Sequence, residues 1–372
     1  MKIAVNTRFL LPDRMEGIGY FTQEVCRRLV ERCPEHEFLF CFDRPFDEKY
    51  IFGPNVTPKV VYPPARHPWL WYAWFEWGLP QVLAKWGAAV FFSPDGYCSL
   101  RSKVPTVMVT HDIAHLHYPE QIPRRVRNYY NKNVPRFIER ADHVVTVSDF
   151  VKRDIMHHYG TEPSKLSVAC NGVKPDFQPL SEIEQGKVRR EYSDGQPYFF
   201  YLGAVHPRKN VPRLIEAYDT YREQGGSSAQ LLIGGRLAWQ TEKTRAAHKK
   251  ARYFANIKFL GYVPSKDLPR LMASAKALVY PSLSEGFGVP VLEAFHAEVP
   301  VITSRVTSLP EVAGDAALLI DPLSVQSIAE AMLRLDRETD LPQILVEKGK
   351  LQRQHFSWDA ATKVVANAIH GL

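Results

Sequence analysis

The sequence predicts an α/β protein made of two Rossmann-like domains in tandem. Short apolar segments alternate with amphipathic helical segments, which is typical of parallel sheets that are covered by helices on both faces. The same alternation starts again after residue 195, and 372 residues exceed the usual length of a single domain. We therefore predict one domain over residues 1–175, a linker over 176–195 and a second domain over 196–355.

The first predicted domain begins with the strand segment KIAVNTRFL, which is followed by a turn and an amphipathic helix, YFTQEVCRRLVER. Its later strands are the apolar runs EFLFCF, AAVFFS, VPTVMVT and HVVTVS. The second domain repeats the pattern with PYFFYLGAV, AQLLIGG, IKFLGYV, AKALVYPS and VPVITS. The segment between the domains, KPDFQPLSEIEQGKVRREYSDGQ, is polar and rich in turn-forming residues, and this composition favours a linker.

Composition narrows the class of protein. The chain is 45% hydrophobic and 23% charged, and its composition is that of a globular protein. The five cysteines form no C-x-x-C pair, which argues against a disulfide framework or a structural zinc site. The N-terminal apolar run is too short for a signal peptide, and no window reaches the ~18–20 apolar residues of a membrane helix. We therefore expect a soluble, cytoplasmic protein.

The formal net charge of +7 suits an anionic partner, such as a phosphorylated small molecule or an acidic membrane face. Nucleic acid fits less well, because the basic residues are dispersed and form no recognisable binding motif. A basic but unspecialised surface is the simpler alternative.

Turns that follow predicted strands are the candidate sites, because ligands of parallel α/β sheets bind beyond the carboxyl ends of the strands. Gly17 and Gly19 lie between the first strand and its helix. Glycines let a ligand approach the backbone closely, and the N-terminus of a helix attracts phosphate. A simple tight turn would also explain both glycines.

The polar trio Thr110-His111-Asp112 follows another predicted strand and marks a second candidate site. His115 and His117 lie close by, so a metal cluster is one hypothesis, although no nearby pair of carboxylates or cysteines completes it. A helix-capping Asp112 beside a packed His111 is the ordinary alternative.

The turn HPRKN, residues 206–210, places Arg208 and Lys209 at the start of the predicted helix VPRLIEAYDTYR. Adjacent cations are unfavourable at a helix N-terminus, where the helix dipole already places positive charge. A bound anion would offset that cost. Arginine offers phosphate a fork of donors and lysine a point charge, so this turn indicates a diphosphate site.

The segment SEGFGVPVLE, residues 284–293, places two glutamates around a glycine-rich turn. Pro290 suits the first turn of a helix, so Glu285 is expected in the loop and Glu293 about one turn inside the helix. A carboxylate can accept hydrogen bonds from two vicinal hydroxyls of one ring. One glutamate could therefore bind a sugar ring and the other a ribose. A solvated helix residue is the alternative for Glu293 alone.

Several segments together resemble the family-4 glycosyltransferases. They are SEGFGVPVLEA, LGAVHPRKN, ASAKALVYPS and PVITS with LPEVAGDAALL in the second half, and EGIGYFTQEV, THDIAHLHYPE, ADHVVTVSDFVKRDI and the NGV turn in the first. The resemblance implies the GT-B fold, in which two Rossmann-like domains face each other across a cleft. It also implies that the last helix, residues 356–372, crosses back to the first domain.

The resemblance implies a role for each matching residue. Glu285 matches the glutamate that contacts the donor sugar, and Glu293 matches the one that binds the ribose. Lys209 matches the diphosphate lysine, and His111 matches the histidine near the transferred sugar. The remaining matches supply the donor loops: Gly286, Phe287, Gly288 and Val289 after Glu285, and Gly17 and Gly19 in the N-terminal loop that closes over the donor phosphate.

Two positions depart from the family pattern. Ala204 stands where many relatives carry an arginine, and Arg208 is then expected to supply that charge. Lys174 stands where an acidic residue is usual after the NGV turn, and nothing in the sequence explains it.

The implied activity is transfer of a hexose from a nucleotide-sugar with retention of anomeric configuration, without an obligatory metal and without a cofactor. The expected catalytic residues are Glu285, His111, Arg208 and Lys209. Because Glu293 should sit at the ribose, the two glutamates are not expected to act as the carboxylate pair of a retaining glycosidase. The segments THDIAHLHYPE and PRKN resemble those of mannosyltransferases of bacterial surface polysaccharide synthesis. This resemblance implies GDP-mannose as donor and a glycan or lipid-linked glycan as acceptor.

The aromatic segment Trp69–Trp77 allows three interpretations. Trp71, Trp74 and Trp77 fall at helical spacing, which favours a helix packed in the domain core. Exposed rings could instead stack on acceptor sugars or, with the basic charge, contact the anionic inner face of the cell membrane.

Other functions remain open from sequence. A nucleotide-sugar epimerase of the same fold would keep the nucleotide site, and a non-catalytic glycan-binding protein would not depend on Arg208, Lys209 and Glu293. A NAD-dependent dehydrogenase is rejected, because GIGYFT lacks the third glycine of the dinucleotide fingerprint.

Overall fold

The protein is described by a computed structural model that covers residues 1–12, 15, 17–236 and 241–372. The chain forms two compact units. The first comprises Met1–Asn171 with Ser357–Leu372, and the second comprises Gly172–Phe356. Each unit is built on one parallel β-sheet with helices between successive strands, which confirms the predicted α/β class.

The first unit contains a seven-stranded sheet in the order β3-β2-β1-β4-β5-β6-β7. Its strands are β1 (Lys2–Asn6), β2 (Glu37–Phe42), β3 (Val56–Val60), β4 (Val90–Ser93), β5 (Thr106–Thr110), β6 (His143–Thr146) and β7 (Leu166–Val168). All neighbouring pairs are parallel, and the residues of β4 and β5 are buried throughout. The continuous apolar runs in the sequence arise because both faces of these central strands are covered.

The helices of the first unit surround this sheet. They are α1 (Gly17–Arg32), α2 (Pro68–Ala73), α3 (Leu79–Trp86), α4 (Ala114–His117), α5 (Arg124–Arg140), α6 (Asp149–Tyr159) and α15 (Trp358–His370). Helix α1 buries one apolar side that includes Phe21, Val25 and Leu29, as its helical spacing predicts.

The C-terminal helix α15 packs against α1 within the first unit. Trp358 meets Phe21 edge to face, with ring centroids 6.0 Å apart. Asp359 accepts a hydrogen bond from Arg28 at 2.8 Å and forms an ion pair with Arg32 at 2.7 Å. These contacts explain why the last residues of the chain belong to the unit that contains the first.

The second unit contains a six-stranded sheet in the order β10-β9-β8-β11-β12-β13. Its strands are β8 (Tyr198–Leu202), β9 (Gln230–Gly234), β10 (Ile257–Gly261), β11 (Ala277–Tyr280), β12 (Val301–Ser304) and β13 (Ala317–Ile320). Its helices are α7 (Glu182–Ser193), α8 (Val211–Glu223), α9 (Glu242–Lys250), α10 (Leu268–Ala273), α11 (Val289–His296), α12 (Leu309–Ala313), α13 (Val325–Arg337) and α14 (Leu341–Gln352).

The segment 176–195, predicted as a linker, lies inside the second unit and contains α7. Ser181 and Glu184 form a capping box that starts this helix. Arg189 then donates a hydrogen bond to the Ser274 carbonyl at 3.2 Å. The polar, turn-rich composition of residues 176–195 therefore reflects a surface helix with a strong N-terminal cap.

The aromatic segment Trp69–Trp77 is partly core and partly surface. Trp74 and Phe75 are fully buried, and the Trp74 indole donates to the Val61 carbonyl at 3.1 Å. Trp69 and Trp77, by contrast, are 79% and 49% exposed. The helix changes its pitch over Trp74–Gly78, so the simple spacing in the sequence does not place every tryptophan on the buried face.

None of the helices in the described ranges combines the length and apolarity that crossing a bilayer requires.

Candidate active site

The strand order of the second unit places its site residues at one edge of the sheet. β8 and β11 are neighbours in the sheet, but the chain leaves β8 toward β9 on one side and leaves β11 toward β12 on the other. Ligands of open α/β sheets bind beyond the carboxyl ends of the strands at such a reversal. The HPRKN turn follows β8, and the SEGFG loop follows β11.

The backbone at this edge is closely packed. Gly203 and Gly235, which follow β8 and β9, have φ of +151° and +148°. A Cβ atom on Gly235 would overlap the Gly203 carbonyl, so no other residue fits there without a backbone shift. Gly203 is the glycine of the LGAV motif, and its φ is one that residues with a Cβ rarely adopt, whereas the missing Cβ of Gly235 is what lets the two strand ends approach each other.

The HPRKN turn is fixed by Asn210, a residue that the sequence did not single out. Asn210 is buried in the left-handed conformation, with φ of 62°. Its side-chain amide donates to the carbonyls of Pro281 at 3.0 Å and Pro322 at 2.6 Å. The Leu283 amide in turn donates to the Arg208 carbonyl at 2.8 Å, so the turn after β8 is tied to the loop after β11.

These ties bring Lys209 and Glu285 together, 76 positions apart in the chain. The Lys209 ammonium lies 2.6 Å from Glu285 Oε1, and it also donates to the Tyr280 hydroxyl at 2.7 Å. The Tyr280 hydroxyl donates to the same carboxylate oxygen at 2.7 Å. Tyr280, the last residue of β11, is therefore a member of this cluster that sequence reasoning missed.

Glu285 is ionised in this cluster. Burial favours the neutral acid, but the charges of Lys209 and Arg208 and the hydrogen bond from Lys209 outweigh it and lower the pKa of Glu285. The carboxylate can therefore accept hydrogen bonds from hydroxyl groups at neutral pH, whereas it is a poor proton donor.

The loop between Glu285 and α11 is held in place by Ser308. The Ser308 hydroxyl donates to the carbonyls of Glu285 and Phe287, both at 2.9 Å. The Thr307 hydroxyl accepts the Glu285 amide at 3.2 Å. Gly288 has φ of 107° and lies against Leu309, so the loop turns sharply into the helix that begins at Val289.

Glu293 lies in α11, the fifth of its eight residues, and is half-buried. Burial raises its pKa to about 7, and the charge of Lys174 partly opposes this shift. In the described part of the chain, we find no hydrogen-bond donor on its carboxylate. An acid in this state is well suited to take hydrogen bonds from a ligand. Lys174, which the sequence left unexplained, supplies a positive charge that acts on this acid.

In the first unit, Gly17 and Gly19 lie within the first turn of α1, rather than in a loop before it. A Cβ atom on Gly19 would meet the Phe9 carbonyl at 2.6 Å and the Met15 side chain. Nothing lies within 4 Å of the corresponding position on Gly17, which is exposed. Packing thus explains Gly19 but not Gly17.

His111 follows β5 and packs edge to face on Phe21, with ring centroids 5.2 Å apart. Its Nε2 lies 2.9 Å from the Pro94 carbonyl, which only accepts, so this nitrogen carries the proton. Burial lowers the pKa of His111, although this hydrogen bond and the charges of Asp112 and Asp95 oppose the shift. The imidazole is therefore neutral at pH 7.

The neighbours of His111 contact different partners. Asp112 accepts the Ala114 amide at 3.1 Å, although Ile113 and not Asp112 occupies the N-cap position of α4. The buried His115 lies 3.3 Å from the Tyr159 hydroxyl, and burial lowers its pKa to about 4. His117 instead pairs with Asp154 at 2.8 Å. The three histidines of this segment do not converge on one point.

A second candidate site in the first unit is a pocket of ≈ 210 Å³ beyond the carboxyl ends of β1, β2 and β4. Arginines and aromatic rings form most of its lining: Arg8, Phe9, Leu11, Arg44, Ala65, Arg66, Trp71, Tyr97 and Tyr130. Arg8 is buried, pairs with Asp95 at 2.5 Å and stacks on the Tyr97 ring. Trp71 belongs to the aromatic segment that the sequence analysis considered for acceptor sugars, whereas the other lining residues come from distant turns and carry no shared motif.

Asp43 balances a second arginine of the pocket. It is fully buried and holds Arg44 through two hydrogen bonds of 2.6 and 2.7 Å. Among the described residues, no carboxylate lies within ion-pair distance of the exposed Arg66 guanidinium. The pocket therefore combines aromatic faces with one cation whose charge is not balanced locally.

Comparison with known proteins agrees with the geometry of both units. Residues 15–177 match the profile described as Glycosyltransferase Family 4, and residues 183–352 match Glycosyl transferases group 1. The chain is 33% identical over 280 residues to O-antigen chain mannosyltransferase B of Escherichia coli, and the aligned region covers 75% of this chain and 73% of that protein. The chain belongs to glycosyltransferase family 4. The predicted family is confirmed.

Other similar proteins of this family include O-antigen chain mannosyltransferase RfbU of Salmonella typhimurium, 28% identical over 77% of this chain and 76% of that protein. Among solved structures, the lipopolysaccharide glycosyltransferase WaaG superposes with a TM-score of 0.77 at 19% identity, covering all of both chains. A UDP-glucose complex of Anabaena HepE gives a TM-score of 0.76 at 17% identity, again over all of both chains. These likenesses confirm the GT-B fold for this glycosyltransferase.

Proposed function

We propose that this glycosyltransferase moves mannose from GDP-mannose to a glycan or lipid-linked glycan acceptor in bacterial surface polysaccharide synthesis, with retention and without a metal. The observation that carries the proposal is the Lys209–Tyr280–Glu285 cluster, which places a cation and an ionised carboxylate side by side at the sheet edge. A diphosphate requires the cation, and a sugar ring requires the acceptor oxygens.

The donor is proposed to lie along the loops after β8 and β11. Arg208 and Lys209 would bind the diphosphate, and Glu285 would accept hydrogen bonds from the transferred sugar. The backbone of Gly286, Phe287, Gly288 and Val289 would contact sugar and phosphates. Glu293 supports the placement of the ribose, because its carboxylate is half-buried and its raised pKa reflects a site without a compensating donor.

The chemistry follows from the leaving group. As the bond from the sugar C1 to the phosphate oxygen breaks, negative charge grows on that oxygen. Arg208, Lys209 and the backbone N–H groups would stabilise it. The acceptor hydroxyl would attack C1 from the same face, form the new glycosidic bond and give its proton to the departing phosphate oxygen. The configuration at C1 would then be retained.

Glu285 is assigned to binding rather than to proton transfer, since its lowered pKa keeps it ionised. His111 is neutral and could hydrogen-bond a sugar hydroxyl without adding charge. The N-terminus of α1, with Gly17 exposed, is proposed to approach the donor phosphate.

The pocket of the first unit is proposed as the acceptor site. Trp71 and Tyr130 lie parallel, with an interplanar angle of 6° and centroids 6.4 Å apart, and both are half-buried. Partly open rings of this kind offer apolar faces to a sugar, and Arg66 adds a donor for its hydroxyl or anionic groups.

A peripheral contact with the anionic inner face of the cell membrane is proposed for the exposed aromatic residues near this pocket. The exposed rings are Tyr62, Trp69, Tyr72 and Trp77. Arg101 lies over the Trp77 ring, 5.7 Å from its centroid. Aromatic rings beside arginines are favoured at the lipid headgroup region, where a lipid-linked acceptor would be met.

Mannose is proposed because two similar proteins are named mannosyltransferases. GDP is proposed because GDP-mannose is the mannose donor that the sequence resemblance implies. A thermal-shift panel of GDP-, UDP-, ADP- and dTDP-sugars in EDTA tests it, with wild type and Glu293→Ala. A ligand at 100 times its dissociation constant should stabilise the protein by ~2.7 kcal/mol. We expect a shift with GDP-mannose that the variant loses. If another nucleotide-sugar shifts the melting temperature instead, that compound replaces GDP-mannose as the proposed donor. If none of the four shifts it, the proposed donor site is contradicted.

Transfer is then separated from the two alternatives by product analysis. A nucleotide-sugar epimerase would release an altered sugar nucleotide, whereas a glycan-binding protein would leave the donor intact. The proposal expects GDP together with a lengthened acceptor.

A further inference from the structure

His117, Asp154 and His158 form a compact cluster in the first unit. His117 is the last residue of α4, and the other two lie four positions apart on one face of α6. His117 Nε2 is 2.8 Å from Asp154 Oδ2, and His158 Nδ1 is 3.1 Å from Asp154 Oδ1 and 3.0 Å from the Asp154 main-chain carbonyl oxygen. All three candidate ligand atoms lie within 4.8 Å of one another.

These separations are close to those of a tetrahedral metal site. Zinc binds imidazole nitrogens and carboxylate oxygens at about 2.0–2.2 Å, so neighbouring ligand atoms are about 3.3–3.5 Å apart. The two nitrogen–oxygen distances, 2.8 and 3.1 Å, run to different oxygens of Asp154 and are somewhat shorter than this range. Small side-chain rotations would therefore bring the three atoms around a common centre.

The ligand types select the kind of metal. Two imidazoles and one carboxylate suit a divalent transition ion such as Zn²⁺, whereas Mg²⁺ and Ca²⁺ prefer oxygen-only sites. The Asp154 side chain is only 10% exposed, and the two histidine side chains are 34% and 31% exposed. A bound ion would thus have a fixed anionic ligand beneath it and an open position toward water.

We propose that His117, Asp154 and His158 form a Zn²⁺ site that ties α4 to α6. Each imidazole gives the metal the lone pair of the nitrogen that now faces Asp154, and the ring proton is then carried by the other nitrogen. His158 thereby exchanges its hydrogen bond to the Asp154 carbonyl for the bond to the metal. Because α4 begins three residues after His111, the ion fixes the segment that follows this histidine. None of its three ligands is among the residues proposed to bind the donor, so the site is compatible with transfer that needs no metal.

A second group, Cys33, His36 and His370, also has its candidate ligand atoms within 4.8 Å of one another. It is less suited to a cation. The His36 Nδ1 atom lies 3.3 Å from the N-terminal ammonium, and burial together with that charge lowers the pKa of His36. Burial also raises the pKa of the Cys33 thiol, which disfavours the thiolate that a metal requires.

The test measures Zn²⁺ binding by isothermal titration of the full chain after removal of metals with EDTA. All proteins carry His370→Gln, which removes one ligand of the second group. His158→Gln and His117→Gln each remove one ligand of the proposed site, from different helices. His157→Gln is the matched control, because His157 is the exposed neighbour of His158 and its ring is not part of the cluster.

We expect one Zn²⁺ per chain in the His370→Gln background and in the His157→Gln control. Binding should be at least tenfold weaker in His158→Gln and in His117→Gln, with unchanged thermal unfolding in the absence of metal. Co²⁺ in place of Zn²⁺ should give the intense visible absorption of a tetrahedral complex, and both ligand variants should lose it. Equal Zn²⁺ affinity in the ligand variants and the control, or no binding in the background protein, would overturn the proposal.

Discussion

The ammonium of Lys209 lies 2.6 Å from Glu285 Oε1, in a cluster where Glu285 is 7% exposed. The pair joins the turn after β8 to the loop after β11, and Tyr280 bonds to both members. Because one hydroxyl and one ammonium satisfy the same carboxylate oxygen, the pair is held ready before a ligand arrives. The proposed donor site and the local stability therefore depend on the same contact.

Replacement of Lys209 should affect both activity and stability. In Lys209→Met, turnover of the donor should fall by about 10²–10³-fold, because the charge that stabilises the leaving group is removed. Unfolding should become easier by about 3–5 kcal/mol, since Glu285 is left buried without its cation. Steady-state kinetics and urea denaturation measure the two effects.

The double variant Lys209→Met with Glu285→Gln is the control for stability. It removes the uncompensated charge and should recover most of the lost unfolding free energy, while activity stays low. Lys258→Met, which breaks an ion pair with the exposed Asp194 in the same unit, should change neither strongly. Equal losses of stability in Lys209→Met and Lys258→Met would contradict the buried pair.

The raised pKa of Glu293 predicts a stability that depends on pH. Its pKa is about 7, against an ordinary value of 4.5. Between these values the native state holds a proton that the unfolded state releases, so stability falls as pH rises and the cost is complete above pH 7. Glu293→Gln should therefore be more stable than wild type by about 2–3 kcal/mol at pH 8 and equal to it near pH 4.

The Glu293→Gln variant should bind nucleotide more weakly although it is more stable than wild type. Nucleotide binding should tighten as pH rises through about 7, because the ionised carboxylate accepts hydrogen bonds from ribose hydroxyls more strongly than the acid does. In Glu293→Gln this pH dependence should disappear and the affinity should be low throughout. Denaturation and calorimetric titrations with GDP across the pH range measure both. A variant that binds GDP as wild type does would exclude Glu293 from the site.

The two glycines of α1 should respond differently to alanine. Gly19→Ala should destabilise the protein by about 1–3 kcal/mol, because its Cβ would collide with the Phe9 carbonyl. Gly17→Ala meets nothing within 4 Å and should fold as wild type, while its donor KM rises if a phosphate approaches this helix end. Thermal unfolding and donor kinetics separate the effects, and an unchanged donor KM in Gly17→Ala would count against that approach.

Trp71 and Trp77 form a matched pair for the acceptor and membrane proposals. Trp71→Ala should raise the KM for acceptor and leave GDP affinity unchanged, because this ring lines the pocket of the first unit. Trp77→Ala should leave the KM for a water-soluble acceptor unchanged and weaken sedimentation with vesicles that contain phosphatidylglycerol. If both variants bind vesicles as well as wild type does, the exposed aromatic residues do not contact the membrane.

Sequence reasoning succeeded where one local signal decides the structure. Strands such as AKALVYPS were predicted because both faces are buried and the whole run is apolar, and α11 because Pro290 follows a glycine-rich loop. Contacts between distant segments gave no such signal. Tyr280 and Asn210 enter the site only because the sheet brings two turns together, and Asp154 meets His117 only after α6 packs beside α4.

The aromatic segment shows a different limit. A regular helical period would place Trp71, Trp74 and Trp77 on one face, but the wider turn over Trp74–Gly78 rotates the later residues. Trp74 is consequently buried and Trp77 is exposed. A local change of helix pitch cannot be predicted from spacing alone, because it depends on how the neighbouring residues pack.

The most direct test of the central claim is an NMR assay of transfer in EDTA, with GDP-mannose as donor and mannosyl oligosaccharides as acceptors. The account predicts release of GDP and a new α-mannoside whose anomeric configuration is that of the donor, with both signals forming about 10²–10³-fold more slowly in Lys209→Met. A product of inverted configuration, or turnover that requires added metal, would contradict the proposed mechanism. An intact donor with every acceptor, from protein that also fails to bind GDP, would contradict the donor site itself.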